Sequence, residues 1–475
     1  MSSGEITVGQ RRLLTAQVKG VLDEFDHEFS FRESGEFAII FGPNGVGKTK
    51  MLEVLTAICK LDLAELISLP FTAGSLAFSD GSALSLTKVT PPPTDDDSTD
   101  SGQEKSDPVS DFVVVLDIPA ENRQVESYIS SSSEFRVWLR LNSSFRPIEG
   151  TDFWRDTRDD DINSYEDLRR MYFARFRAEN RHKKQVGELS PDIRRFVDEL
   201  DVRLIETQRL MASDPGRPVR YGYPSPPNRV PTVIQYSNRI QSLLNDNLSS
   251  NSRLTQELDS TFPRRMLESG EQSVLTETEL RDKWAQQTKR RARLTEIADL
   301  NVDKELSLPQ GSLNTWQLGM LELYLEDADR KLDSFTDVLG RINLLEEVVN
   351  ARLLRKSLHI DAKNGIVVTR TRDASAVPLA ALSSGEQHEL ILIFDLLFNV
   401  DEGSIVMIDE PEISLHIGWQ KKFIADVLRI AALVGFQFVV ATHSPQIIDR
   451  WWSRATRLGP TTDEFLGEED PDVDA

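Results

Sequence analysis

The eight residues Gly42-Pro43-Asn44-Gly45-Val46-Gly47-Lys48-Thr49 constrain this chain more than any other stretch. An apolar run, Phe37 to Phe41, precedes them, and Met51, Leu52, Val54, Leu55 and Ile58 follow at helical spacing. A buried strand, a glycine-rich turn and a helix in that order make a phosphate-binding loop. Its glycines let the backbone wrap a phosphate with N–H groups pointing inward, and the helix N-terminus adds partial positive charge. Lys48 then faces the β- and γ-phosphates, and the Thr49 hydroxyl is a ligand for Mg²⁺. Such a unit belongs to a sheet covered by helices, so the chain is expected to be α/β.

Three downstream segments extend the reading. Ile405 to Ile408 is a short apolar strand that hands over Asp409 and Glu410. Asp409 is placed to hold Mg²⁺, directly or through water, and Glu410 to act as general base on the attacking water. The sequence Pro411-Glu412-Ile413-Ser414-Leu415-His416 follows and makes the acidic pair specific. Leu382-Ser383-Ser384-Gly385-Glu386-Gln387 precedes a helical pattern, and Ala441-Thr442-His443-Ser444 ends an apolar run from Phe436.

Composition narrows the setting. The net charge of −22 argues against a protein that coats nucleic acid. No apolar run reaches the roughly 18 residues of a membrane span. The N-terminus lacks the pattern of a secretory signal. One cysteine, Cys59, rules out an internal disulfide framework and a cysteine-based zinc site within this sequence. A cytoplasmic setting is expected.

Along the chain, Leu13 to Val21, Phe29 to Phe31 and Phe37 to Phe41 read as strands. Residues 75–118 read as an inserted β layer with a hairpin at Asp80-Gly81 and a disordered acidic loop over 91–111. Ser164-Tyr165-Glu166-Asp167 is a capping-box pattern. Helical stretches are expected over 275–305 and 312–352. In the second, Leu321, Leu325, Ala328, Leu332, Phe335, Leu339 and Ile342 form a heptad seam. That seam either packs on its own domain or forms an arm of roughly 60 Å that reaches a partner. Asn364-Gly365 marks another hairpin. The expected divisions are 1–150 (first part of the catalytic head), 151–355 (helical insertion), 356–458 (second part of the head) and 459–475 (acidic tail). Arg169, Arg170, Arg175, Arg177, Arg181, Lys183 and Lys184 make one dense basic stretch with Tyr172, Phe173 and Phe176 interleaved. It is either a solvated helix face or a contact for nucleic acid or an acidic partner.

Taken in this order, the motifs resemble the ABC-type ATPase heads of the SMC, Rad50 and RecF group. The resemblance implies a P-loop ATPase head with a β insertion and a short coiled-coil-like helical insertion. It implies ATP and Mg²⁺ as cofactors and a head-to-tail dimer. Ser383 to Gln387 would be the signature motif, with Ser384 and Gly385 reaching the nucleotide of the opposite subunit. Ser414-Leu415-His416 is similar to the loop coupling the two sites, and His443 to the switch histidine that senses the γ-phosphate. Gln208, after Leu204-Ile205-Glu206-Thr207, is similar to the glutamine that ligates Mg²⁺.

A second resemblance is carried by Leu204–Leu210, Leu258–Arg265, Leu382–Leu390 and Ile408–His416. These strings resemble a bacterial group of AAA-type ATPases that includes subunits of anti-phage systems such as Septu and some retrons, with PARIS more distant. It implies a regulatory ATPase, in a homodimer or larger homo-oligomer, that controls a separate effector, often a nuclease. About 30 residues follow His443, so no nuclease domain of the type found in related overcoming-lysogenization-defect proteins is expected here. The alternatives are a RecF-like DNA-repair or recombination ATPase and, less consistent with the helical insertion, an ABC transporter subunit.

Overall fold

The computed structural model describes residues 11–32, 35–89, 111–129, 139–140, 142–148, 153–158, 161–165, 167–168, 171–172, 189–206, 211–213, 229–268, 275–298, 308 and 311–459. The expected acidic loop lies almost wholly outside them, as do Gln208 and every arginine and lysine of the basic stretch. Chain packing divides the protein into two units. The first holds residues 1–206, 401–412 and 435–475, and the second holds 207–400 and 413–434.

In the first unit one helix lies between two sheets. Strands β1 (Leu13–Val21) and β2 (Phe25–Ser30) join β4 (Ala73–Phe78), β5 (Ala83–Val89), β6 (Asp111–Ile118) and β7 (Arg123–Ile129) in an antiparallel sheet of order β2-β1-β4-β5-β6-β7. The layer expected over 75–118 is therefore continuous with the N-terminal strands. The Asp80-Gly81 turn closes β4 on β5, with Gly81 at φ 84° and the Asp80 carboxylate accepting from Ser82 N at 2.9 Å.

The second sheet is wholly parallel. Its order is β11 (Val202–Glu206), β17 (Ile405–Asp409), β18 (Gln437–Thr442), β3 (Phe37–Phe41) and β19 (Ala455–Arg457). Central strands covered on both faces need apolar residues at every position, and β17 reads Ile-Val-Met-Ile-Asp without a single exposed residue. Helix α1 (Lys48–Lys60) runs from the glycine-rich loop into the space between the sheets. Its residues Met51, Leu52, Val54, Leu55, Ala57, Ile58 and Cys59 are all fully buried. Burial pushes the Cys59 thiol up to about 12.

A satellite cluster within the same unit contains Leu139, Phe145, Trp154 and Leu168, around the short strands Phe145–Pro147 and Phe153–Asp156. Tyr172, one of the aromatics interleaved with the basic stretch, packs edge-on to Phe145 at 5.9 Å. Its ring therefore serves a small core. The Ser164 cap forms as expected, with its hydroxyl accepting from Asp167 N at 3.1 Å.

The second unit is mainly helical. Its longest element, α4 (Thr232–Glu268), runs 37 residues, about 55 Å. Helices α5 (Glu277–Ala298), α6 (Thr315–Asp333) and α7 (Thr336–Asn350) follow. The heptad seam is not one continuous arm: the helix stops at Asp333 and restarts at Thr336, with Phe335 buried in the break. Leu325, Ala328, Leu332 and Ile342 are buried too, so most of the seam is spent on packing within the unit. Arg265 on α4 clamps Asp327 on α6 with two hydrogen bonds of 2.7 and 2.6 Å.

Strands β14 (Lys356–Asp361), β15 (Gly365–Arg370) and β16 (Ala376–Val377) form a small antiparallel sheet against α4. The hairpin at Asn364-Gly365 has a three-residue loop, because Asp361 pairs with Gly365. Asp361 Oδ1 accepts from Lys363 N and Asn364 N at 2.9 and 2.6 Å, and Gly365 takes φ 70°. The hairpin expected at Asn364-Gly365 is thus present, with a three-residue loop closed by a left-handed glycine. A Cβ on Gly365 would also collide with the Ser237 carbonyl oxygen on α4. Gly365→Ala is expected to cost about 2 kcal/mol or more, read as a lowered melting temperature. A melting temperature equal to wild type would contradict this account of the hairpin.

Candidate active site

The parallel register places several chain exits at one level. Phe41 pairs with Thr442, and Ala441 with Asp409, which in turn pairs with Glu206. The loop after β3 is Gly42–Gly47, the turn after β17 begins with Glu410, and the turn after β18 begins with His443. Ligands of open parallel sheets bind at the carboxyl ends of the strands. The sequence pattern thus becomes one edge carrying Lys48, Thr49, Asp409, Glu410 and His443. Strand β11 ends at the same edge two residues before Gln208, which itself lies outside the described residues.

The loop is built for close backbone approach. Gly47 caps α1 at φ 86° with no side-chain cap, and no acidic residue occupies the first turn. The helix N–H groups are thus left for an anion. A Cβ on Gly42 would strike the Leu458 carbonyl oxygen, and one on Gly47 would strike Val21. Asn44 and Gly45 are exposed at the tip, Gly45 at φ 89°, while Val46 is buried. Sequence reading missed one support: His27 on β2, 2% exposed, bonds the Val46 carbonyl oxygen through Nε2 at 2.6 Å. Lys48 is 5% exposed, and its ammonium donates to the carbonyl oxygens of Gly42 and Pro43 at 3.0 Å each.

Thr49 Oγ1 donates to Asp409 Oδ2 at 2.7 Å, joining two residues 360 positions apart. A hydroxyl and a carboxylate are hard oxygen donors, the set that suits Mg²⁺. Burial raises the Asp409 carboxyl to about 6, with the nearby charges of Glu410 and Glu412 adding to the rise and Thr49 and Lys48 opposing it. A cation here would relieve that cost. Glu410 holds a positive φ of 43° while its N–H bonds the Ala441 carbonyl oxygen at 2.8 Å. A non-glycine residue in that region carries backbone strain, and such strain clusters at functional sites. His443 Nδ1 lies 3.8 Å from Glu410 Oε1 and 3.0 Å from Glu412 Oε1.

The Ser383–Gln387 segment belongs to the second unit and opens α8 (Ser384–Phe398). Ser383 and Glu386 form a reciprocal capping box: Ser383 N donates to Glu386 Oε2 at 2.9 Å, and Glu386 N to Ser383 Oγ at 3.4 Å. Lys356 at the start of β14 clamps both oxygens of Glu386 at 2.8 Å. Gln387 donates back to the Leu382 carbonyl oxygen at 2.9 Å. Glu386 and Gln387 are thus spent on shaping the turn, leaving Ser383 and Ser384 exposed at the helix start. Further along α8, Glu389 is buried against Arg352, which also bonds Asp426 on α9 (Ile417–Val434).

The Asp409 shift has a testable sign. An acid whose folded-state pKa is raised from 3.8 to about 6 contributes most to stability below the lower value, and that contribution is lost as pH rises through the higher one. In nucleotide- and metal-free protein at about pH 7, Asp409→Asn is expected to raise stability by on the order of 1–2 kcal/mol. The gain should shrink as pH falls toward about 4. Melting curves across that range check it; a gain that grows on acidification would refute the burial account.

Comparisons with known proteins agree with the arrangement at the level of family. No curated protein sequence matches the chain. Among solved structures, it superposes on the Smc head domain with an extended coiled coil bound to the C-terminal domain of ScpA from Pyrococcus furiosus. That match has a TM-score of 0.32 at 10% identity, over 92% of this chain and 91% of the other. It also superposes on the SMC head domain from Thermotoga maritima, with a TM-score of 0.31 at 10% identity, over 95% and 100% of the two chains. Superpositions this loose carry no functional weight. The strand order and loop positions are those of an α/β P-loop fold, with an antiparallel β layer and a helical insertion. No helix among the described residues is long and apolar enough to cross a membrane. Residues 37–449 match the family described as "AAA domain, putative AbiEii toxin, Type IV TA system", and the chain belongs to that family.

Proposed function

We propose that the chain binds Mg·ATP at the carboxyl edge of its parallel sheet and hydrolyses it, and that two heads share each site. The observation that carries this is the junction of loop and acid, Thr49 on Asp409 at 2.7 Å, with Glu410 and His443 on the adjoining turns. In this reading the Gly42–Gly47 backbone and Lys48 bind the phosphates. Thr49 and Asp409 hold Mg²⁺, with Gln208 as a further ligand. The metal supplies charge neutralisation on the β- and γ-phosphates when bound. Glu410 orients the water and takes its proton, and His443 contacts the γ-phosphate. Residues 1–150 and 356–458 are the two parts of the head, 151–355 the helical insertion and 459–475 an acidic tail.

The exposed Ser383 and Ser384 at the start of α8 support a contact made outward, to nucleotide held by a second copy. The membership in a toxin–antitoxin-type family, together with the motif strings in Leu204–Leu210 and Ile408–His416, supports a regulatory role in anti-phage defence. There the ATPase controls a separate effector, a nuclease, in the cytoplasm. Restriction of phage by cells expressing this chain with its neighbouring gene, lost on Lys48→Ala, tests that role. DNA-stimulated hydrolysis with direct DNA binding, and no effect on phage, would point to a repair ATPase.

Lys48→Ala is expected to abolish ATP binding, because it removes the cation at the loop centre. Glu410→Gln is expected to keep ATP binding and lose hydrolysis by about 100-fold or more, since only the proton acceptor is gone. Equilibrium titration and phosphate release separate the two. Normal turnover by Glu410→Gln would refute the role given to that carboxylate.

Sharing of sites is tested by mixing. Ser384→Arg is expected to block the outward contact while leaving nucleotide binding in its own head intact. A Lys48→Ala and Ser384→Arg mixture can assemble one composite site with an intact loop and an intact signature, so part of the rate should return after subunit exchange. Full activity of Ser384→Arg alone would exclude a shared site.

A further inference from the structure

We infer that Glu412 is a positioning residue for His443, the anchor that fixes the backbone from which the histidine ring projects. The inference rests on the reading above, in which His443 contacts the γ-phosphate. Glu412 sits in the turn after Glu410, Pro411–Ser414, and its side chain is 4% exposed. Three neighbours in the β18 exit converge on its Oε1. Thr442 Oγ1 donates at 2.6 Å, His443 N at 2.7 Å and Ser444 N at 3.2 Å. Thr442 Oγ1 in turn accepts from Ser444 N at 2.9 Å. The backbone on which His443 rides is therefore pinned to one buried carboxylate oxygen.

The ring itself stands beside the same oxygen: Nδ1 is 3.0 Å from Glu412 Oε1 and 3.8 Å from Glu410 Oε1, so the buried carboxylate borders the histidine on its protein side. Asp409 and Glu410 are expected to meet metal and water; Glu412, buried and turned to the β18 exit, meets neither and acts through the histidine.

The test is a double-mutant cycle on steady-state hydrolysis by the full chain with Mg·ATP. Glu412→Gln keeps shape and an acceptor oxygen but removes the charge. It is expected to lower kcat by about 10- to 100-fold, with KM and nucleotide Kd unchanged, as misplacement of a reacting group does. In a His443→Ala background it should cause no further loss, because the group it positions is gone. Wild-type kcat in Glu412→Gln, or losses that multiply in the double variant, overturn the inference while leaving the histidine's own role standing. Wild-type kcat in His443→Ala overturns the histidine reading, and this inference with it. If Glu412→Gln does not fold, Thr442→Val removes one of the bonds to the same oxygen without changing the side chain's shape. It should show a smaller kcat loss that likewise vanishes in the His443→Ala background.

Discussion

Parallel pairing of β3, β17 and β18 sets three chain exits level, and the chemistry of the edge depends on that alignment. Each strand is buried on both faces, so a slip of register would expose apolar side chains and cost more than any single contact at the edge contributes. The site residues inherit their positions from this pairing. Thr49 meets Asp409 because the loop after β3 carries the start of α1 past β18 to the end of β17, two strands away, although 360 residues separate them in sequence. Helix α1 is held from both sides by apolar contact, which lets its N-terminus stay uncapped.

The edge is electrically unbalanced without ligand. Asp409, Glu410 and Glu412 lie together, and Lys48 with the bare end of α1 supplies the local positive charge within the described loop. A divalent cation would offset the carboxylates, while Lys48 and the bare end of α1 face the side where an anion would sit. The strained Glu410 backbone belongs to the same design: the neighbouring strands hold it at φ 43°, where its carboxylate faces the edge. The second unit places its charge differently. Arg352, Glu389 and Asp426 form a buried ionic cluster tying α8 to α9 and to the end of α7, and burial lowers the guanidinium's pKa. Such clusters contribute little net stability but are expensive to break singly, about 3–5 kcal/mol.

Strands β1 and β3, the loop and α1 were legible because periodicity and glycine spacing are local signals. The acidic pair was legible because an apolar strand delivers it. Helix α4 was not, though it is the longest element. Its outer faces carry Ser, Asn, Gln and Arg, and Pro263 lies within it, so few apolar residues marked a stripe. Of the two readings of the heptad seam, packing on its own domain agrees with the structure and an uninterrupted arm does not. Heptad spacing carries through the break because Phe335 still points inward there. Glu412 was seen as part of a motif without a task, since its partners Thr442, His443 and Ser444 lie about 30 residues away. His27 gave no signal at all, being one histidine on an otherwise ordinary strand.

The burial of Cys59 gives the protein an internal reporter. Its sulfur sits near the C-terminal end of α1 with no exposed surface, and its thiol is held far from the thiolate form that alkylating reagents attack. In the folded state it is silent. It becomes reactive only when α1 leaves the two sheets, so the rate of thiol labelling clocks the unpacking of the helix that the phosphate loop leads into. A nucleotide that tightens the edge would slow that clock, giving a readout of occupancy independent of catalysis.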